Sequence, residues 1–275
     1  MTYFGFLALF LGVPILLLGA SAWWDRRRGR AVPPAFGHRS PWPVIAVLAL
    51  VALLYTTPWD NYLVATRVWW YDPALVTGVT LGWVPLEEYL FFLLQPLLTG
   101  LWVLFLLRRL PLPDAPPRRS NALRRASVLL AGLLWLGSLA LLAGGWPPGR
   151  YLALELAWAL PPIMLQLGFG ADILRQHRRL VLAGILAPAL YLSAADALAI
   201  GSGTWTINPA SSLGILLGGR LPLEELLFFL LTNTLLVFGL TLALAVKSVS
   251  LLPARFRDRR SGPPSGDRRA TVQKG

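Results

Sequence analysis

Residues 85–107 read PLEEYLFFLLQPLLTGLWVLFLL: a proline, two adjacent glutamates, then nineteen residues without a charge. An uncharged apolar run of that length is enough to cross the hydrocarbon core of a bilayer as a helix. Residues 222–244 read PLEELLFFLLTNTLLVFGLTLAL and say nearly the same thing. Proline at a helix entry and glutamate in the first turn are ordinary helix-start chemistry, because the turn lacks N–H acceptors and favours negative charge. That reading covers one copy. A second copy with the same Glu-Glu-x-x-Phe-Phe phrase asks for a further reason.

Working outward, the chain has 275 residues, 56% hydrophobic and 14% charged, so its apolar stretches cannot all be the cores of soluble helices. We expect an all-α integral membrane protein with seven spans, roughly residues 2–21, 42–57, 84–107, 126–145, 151–172, 180–200 and 222–246. Arg26, Arg27, Arg28, Arg30 and Arg39 follow the first span. Arg108, Arg109, Arg118, Arg119, Arg124 and Arg125 follow the third, and Arg175, Arg178 and Arg179 the fifth. The other connections hold only Arg67, Arg150 and Arg220. Alternate loops are thus basic, which places the N-terminus outside and the C-terminus in the cytoplasm of a cell membrane. The net charge of +12 is therefore topological, with some attraction to anionic lipid, and no nucleic-acid partner is expected. Ala20-Ser21-Ala22 resembles a signal-peptidase site, but no basic residue precedes the apolar run and three arginines follow it. A retained first span is expected. The tail 247–275 reads as basic and disordered.

The similarity is wider than the two quoted segments. Tyr55, Asp60, Trp69, Asp72 and Pro73 match Tyr191, Asp196, Trp205, Asn208 and Pro209, each 136 residues later. Glu87, Glu88, Phe91 and Phe92 match Glu224, Glu225, Phe228 and Phe229, each 137 later, and Tyr3 and Pro14 match Tyr151 and Pro162, each 148 later. Spans one to three (1–110) therefore repeat as spans five to seven (150–246). A basic loop and a linking fourth span (111–149) restore orientation so that the repeats run parallel. The expected pocket lies between the halves.

Of 13 acidic residues, eight fall at or near the outer face: Asp60, Asp72, Glu87, Glu88, Glu155, Asp196, Glu224 and Glu225. Glu155 and Asp196 fall within spans, where ionisable groups are costly and face the bundle interior. Trp59, Tyr62, Trp69, Trp70, Tyr71 and Trp83 are expected in an outer loop as an interfacial belt. Gln95, Thr232 and Asn233 suit interhelical hydrogen bonds, and Pro14, Pro162 and Pro188 suit kinks. Adjacent carboxylates in a dry site cannot both ionise cheaply, which leaves a protonated acid. Aromatic faces stabilise a cation, and exclusion of water keeps it from being trapped as an alcohol. Together these suit acid-initiated rearrangement of a lipid-soluble polyene, a net isomerisation.

The segments PLEEYLFF and PLEELLFF, with TPWDNYLV, WWYDP and the doubled three-span layout, resemble the lycopene β-cyclases of the small membrane type. That type occurs as two subunits in some bacteria and as a fused chain in archaea and fungi. The resemblance covers residues 1–246 and implies that ψ-ends of lycopene are closed to β-ionone rings, without redox equivalents. It implies acid–base roles for Glu87, Glu88, Glu224 and Glu225. In this chain Glu87 or Glu224 would give the proton, a neighbouring carboxylate or Asp196 would accept the later one, and Asp60 is counted with these catalytic acids. Phe91, Phe92, Phe228, Phe229, Trp69, Trp205 and Glu155 would contact the substrate. Asn208 in place of Asp72, and Leu226-Leu227 in place of Tyr89-Leu90, raise the question whether the two glutamate pairs are equivalent. Lycopene and membrane lipid are the expected partners, with association with other carotenoid enzymes. Whether one or both ends of lycopene are closed stays open.

No cofactor is expected. The chain has no Gly-x-Gly-x-x-Gly for a nucleotide, no cysteine, and its two histidines, His38 and His177, lie in Arg-rich stretches, so no metal is expected either. Alternatives are a cyclase of C50 carotenoids and a proton-coupled transporter. A retinal photoreceptor is disfavoured, because the only lysines are Lys247 and Lys274, outside the bundle. A prenyltransferase would need an Asp-rich cluster for diphosphate and Mg²⁺, which is missing.

Overall fold

The computed structural model describes residues 1–37, 39–113 and 119–246. His38, Arg118, Lys247 and the tail 247–275 lie outside the described residues. Seven helices are long and apolar enough to cross a membrane: α1 (Tyr3–Arg27), α2 (Pro41–Ala65), α3 (Leu86–Leu107), α4 (Asn121–Ala143), α5 (Arg150–Gln176), α6 (Arg178–Gly201) and α7 (Leu223–Leu244). Leucines such as Leu16, Leu17, Leu129 and Leu165 stand exposed along α1, α4 and α5. On a soluble domain such surface would drive aggregation; here it is the face turned to lipid.

Helix α2 runs eight residues past the expected end at 57 and passes through Pro58. Trp59, Asp60 and Tyr62 therefore belong to a span rather than to the outer loop. Cross-helix bonds hold the continuation: the Tyr55 hydroxyl donates to the Trp158 carbonyl at 2.8 Å, and Trp59 Nε1 donates to the Leu154 carbonyl at 3.1 Å. In α1 the segment Leu7–Gly12 is π-helical, just ahead of Pro14, where a wider turn makes room for a ring that cannot donate. The non-helical residue inside α5 is Gly170, not Pro162. A side chain there would meet Leu242 Cδ2 at 2.5 Å, so glycine lets α5 and α7 approach.

Helices α3, α6 and α7 form the buried centre, and α4 packs along α5, with Trp135 Nε1 donating to the Ala157 carbonyl at 3.1 Å. Two buried side-chain bonds fasten α3 to α7: Gln95 Nε2 to Thr232 Oγ1 at 2.8 Å, and Thr99 Oγ1 to Asn233 Oδ1 at 2.7 Å. In hydrocarbon such bonds are worth about 1 kcal/mol each.

The loops carry short strands: β1 (Trp69–Tyr71), β2 (Thr80–Leu81), β3 (Val84–Pro85), β4 (Trp205–Ile207), β5 (Leu216–Leu217) and β6 (Leu221–Pro222). Strands β2 and β3 form a hairpin that delivers the chain into α3, and β5 and β6 one that delivers it into α7. Strand β1 pairs antiparallel with β4, Trp69 opposite Ile207 and Tyr71 opposite Trp205. This ladder joins the loop after α2 to the loop after α6. Asp72 Oδ1 accepts from the Ala74 amide at 2.9 Å, and Asn208 Oδ1 accepts from the Ala210 amide at 3.0 Å. The two residues make the same turn, because it needs only a side-chain carbonyl oxygen.

Candidate active site

The hairpins set the entry of α3 and α7, so each Glu-Glu pair sits in the first turn of a helix that buries Phe91, Phe92 and Gln95 in α3, or Phe228, Phe229 and Thr232 in α7, over its next two turns. Adjacent residues on a helix point about 100° apart, so the members of a pair face different surroundings. Glu87 turns into its own loop. Its carboxylate accepts from the Thr77 amide at 2.7 Å and from the Thr77 hydroxyl at 3.1 Å. Glu224 does the same with the Leu213 amide at 2.7 Å and the Ser212 hydroxyl at 3.1 Å. Both are fully buried. These two glutamates anchor loops at helix N-termini, where negative charge is favoured.

Glu88 and Glu225 turn the other way and line one cavity of about 460 Å³. Glu88 Oε2 accepts two phenol hydrogen bonds, from Tyr3 and, at 3.0 Å, from Tyr71. Glu225 Oε1 accepts one, from Tyr151 at 2.8 Å. Asp196 also lines the cavity and takes Trp205 Nε1 on Oδ1 at 2.7 Å. Its Oδ2 has no hydrogen-bond partner among the described residues, and the Asp196 and Glu225 carboxyls line the same cavity. Asp60 lies beside Glu88 and Glu155 beside Glu225, both buried, and neither carboxyl accepts a hydrogen bond among the described residues. Tyr71 stands in β1, outside the spans. Burial, then the nearby Asp60 and Glu88 charges, push its hydroxyl well above the ordinary phenol value, so it acts as a neutral donor.

Aromatic rings make the remaining walls. Trp205 packs at 4.9 Å from Tyr3 and 5.0 Å from Phe6, while Trp69 packs edge-on to Tyr151 at 5.2 Å. The β1–β4 ladder thus lays a tryptophan from each loop over the other half's tyrosine. Phe91, Phe228 and Phe229 close the bottom of the cavity. Phe92 is not among these walls and instead lines a second space between α2, α3, α5 and α7.

Of the residues singled out from sequence, Glu88, Glu225, Asp196, Trp69, Trp205, Phe91, Phe228 and Phe229 therefore meet at one cavity, with Asp60 and Glu155 just behind it. Glu87, Glu224 and Phe92 lie elsewhere. Tyr3, Tyr71, Tyr151 and Phe6 complete the site and were not recognised as part of it. Tyr3 and Tyr151 carried a signal, as an aligned pair 148 residues apart, whereas Tyr71 has Ile207 at the matching position and carried none.

A protein-family model described as lycopene cyclase matches residues 1–106 and 150–248. The chain belongs to the lycopene cyclase family. The gap between the two matched stretches contains α4. Lycopene beta-cyclases of two strains of Halobacterium salinarum are each 40% identical to the chain over 243 residues, 88% of this chain and 95% of theirs. The bifunctional lycopene cyclase/phytoene synthase of Aspergillus oryzae is 37% identical over 208 residues, 74% of this chain and 35% of that protein. No solved structure matches the chain. Membership of this family places the carboxylate cavity in a carotenoid-cyclising enzyme embedded in a membrane.

Proposed function

We propose that the chain closes the ψ-ends of lycopene to β-ionone rings by proton transfer inside the cavity shared by Glu88 and Glu225. The observation that carries this reading is that the second glutamate of each pair faces the same aromatic-walled space. An acid gives a proton to the terminal double bond of a ψ-end. The next double bond closes on the resulting cation, forming the ring carbon–carbon bond. A base then removes a ring proton and restores the alkene. Atoms and electrons balance without a co-reactant, so the reaction is an isomerisation.

Hydrogen bonding divides the work. Glu225 is the acid, because it is buried beside two further buried carboxyls, Asp196 in the same cavity and Glu155 behind it, and like charges crowded out of water disfavour its ionised form. Glu88 is the base, because two phenol donors support its carboxylate. Trp69, Trp205 and the phenylalanines offer π-faces to the cation and exclude water. Glu87 and Glu224 hold the loops that shape the cavity and do not touch the substrate. Return of the proton from Glu88 to Glu225 across the cavity resets the site. The two three-span halves are parallel repeats, with the N-terminus outside, so both glutamates open toward the outer leaflet.

Expression in a lycopene-accumulating bacterium, followed by chromatography of the pigments, tests the reading. Cyclic carotenoids are expected. Unchanged lycopene with the protein present in the membrane fraction overturns it.

A further inference from the structure

We infer that the space between α2, α3, α5 and α7 is the channel that holds the uncyclised remainder of the polyene during ring closure, entered sideways from the lipid. This rests on the functional reading above and extends it. The walls of the acid cavity come from helix entries and the loops above them, so it takes one end of a forty-carbon chain rather than the whole of it. A conjugated chain is stiff, so the rest must leave the cavity in one direction. The second space, about 640 Å³, shares a wall with the first within the membrane, since Phe228 lines both, whereas the space that shares Tyr71 with it lies among the loops. Its walls are those of a hydrocarbon site, with few polar groups, as ligand channels usually are.

Stacked rings lead from one space to the other. Trp59 lies parallel to Phe228 at 6.0 Å and to Trp158 at 4.7 Å, and Tyr55 stacks on Trp158 at 5.8 Å. At the far end Val51 and Tyr55 are exposed on the lipid face of α2. The Tyr55 and Trp59 bonds to α5 carbonyls brace the channel along one side. The corresponding stack is missing from the other half, where the positions matching Trp59 and Trp158 are Ala195 and Phe10. The channel therefore serves one side of the molecule, and an end must rebind before the second ring is made.

Ala52 lines the channel and is half-buried, so a large side chain there fills it without entering the acid cavity. Ala52→Trp and Val51→Trp would be purified in lipid nanodiscs beside the wild type and Glu225→Gln. Bound lycopene is read from its visible absorbance and conversion from chromatography. Glu225→Gln is expected to retain lycopene, and the wild type to retain it as lycopene and its cyclic products. Ala52→Trp is expected to retain at least roughly tenfold less and to show a raised KM, with Val51→Trp in between. Val51 faces lipid, so this variant carries the test if Ala52→Trp aggregates. Wild-type binding and KM in both variants overturn the channel and leave the functional reading intact. Binding that depends on Ala52 without any cyclic product leaves the channel standing and overturns the functional reading.

Discussion

The two glutamates that share the cavity have different neighbours. Glu88 is held by Tyr3 and Tyr71, two donors converging on one oxygen. Glu225 is held by Tyr151 alone and stands beside Asp196, with Glu155 behind. The difference traces to two positions at which the halves differ: Tyr71 matches Ile207, and Glu155 matches Leu7. One adds a donor to the first half, the other an acid to the second. A pair of like groups in one low-dielectric space works as acid and base only if the surroundings separate them. In the proposed mechanism the separation comes from donors on one side and carboxyls on the other.

The strongest break of the comparison is removal of either carboxylate. Glu88→Gln and Glu225→Gln are each expected to cut cyclic carotenoid formation by roughly a thousandfold, the usual scale of general acid or base catalysis. The readout is pigment per unit of membrane protein. If one variant keeps near wild-type conversion, the division of roles fails. Asp196→Asn keeps the Trp205 bond but replaces the carboxyl beside Glu225 with a neutral amide, and roughly a tenfold to hundredfold fall in turnover is expected. A changed pH profile would separate this from simple misfolding. Asp60→Asn, on the donor-rich side, is expected to cost less.

Tyr71→Phe leaves Glu88 with one phenol. A hydrogen bond to a charged group is worth about 1.5–3 kcal/mol, so a fall of about tenfold or more is expected, read as initial rate of ring formation. Because Tyr71 is pushed well above the ordinary phenol value, it stays neutral and adds no alkaline loss of rate below about pH 10. The smallest effect is expected at the turn. Asp72→Asn retains the oxygen that accepts from the Ala74 amide and should change thermal stability by less than about 0.5 kcal/mol. A large loss would show that Asp72 does more than Asn208.

Much of the molecule was legible before any coordinates. Nineteen uncharged residues after Glu88 leave helix as the economical way to satisfy a backbone in lipid, and alternating basic loops order the spans. The matching phrases marked both glutamate pairs, Asp196 and the two tryptophans. The end of α2 was misread because Pro58 and Asp60 look like a loop start, whereas bonds from Tyr55 and Trp59 to α5 carry the helix onward. Those partners are about a hundred residues away in the chain, so local pattern could not supply them.

The sequence by itself determined the membrane class, the spans and the acids at two helix entries, because hydrophobic length, charge placement and repetition are local properties. Which glutamate of each pair faces the shared cavity was decided only by the tertiary structure. Adjacent helical residues diverge by about 100°, and the hairpins β2–β3 and β5–β6 fix how each helix is rotated. That rotation sends Glu87 and Glu224 to loop amides and Glu88 and Glu225 to a common cavity. The opposed environments of the latter two arise from side chains brought together across the β1–β4 ladder and between α1, α5 and α6, far apart in sequence.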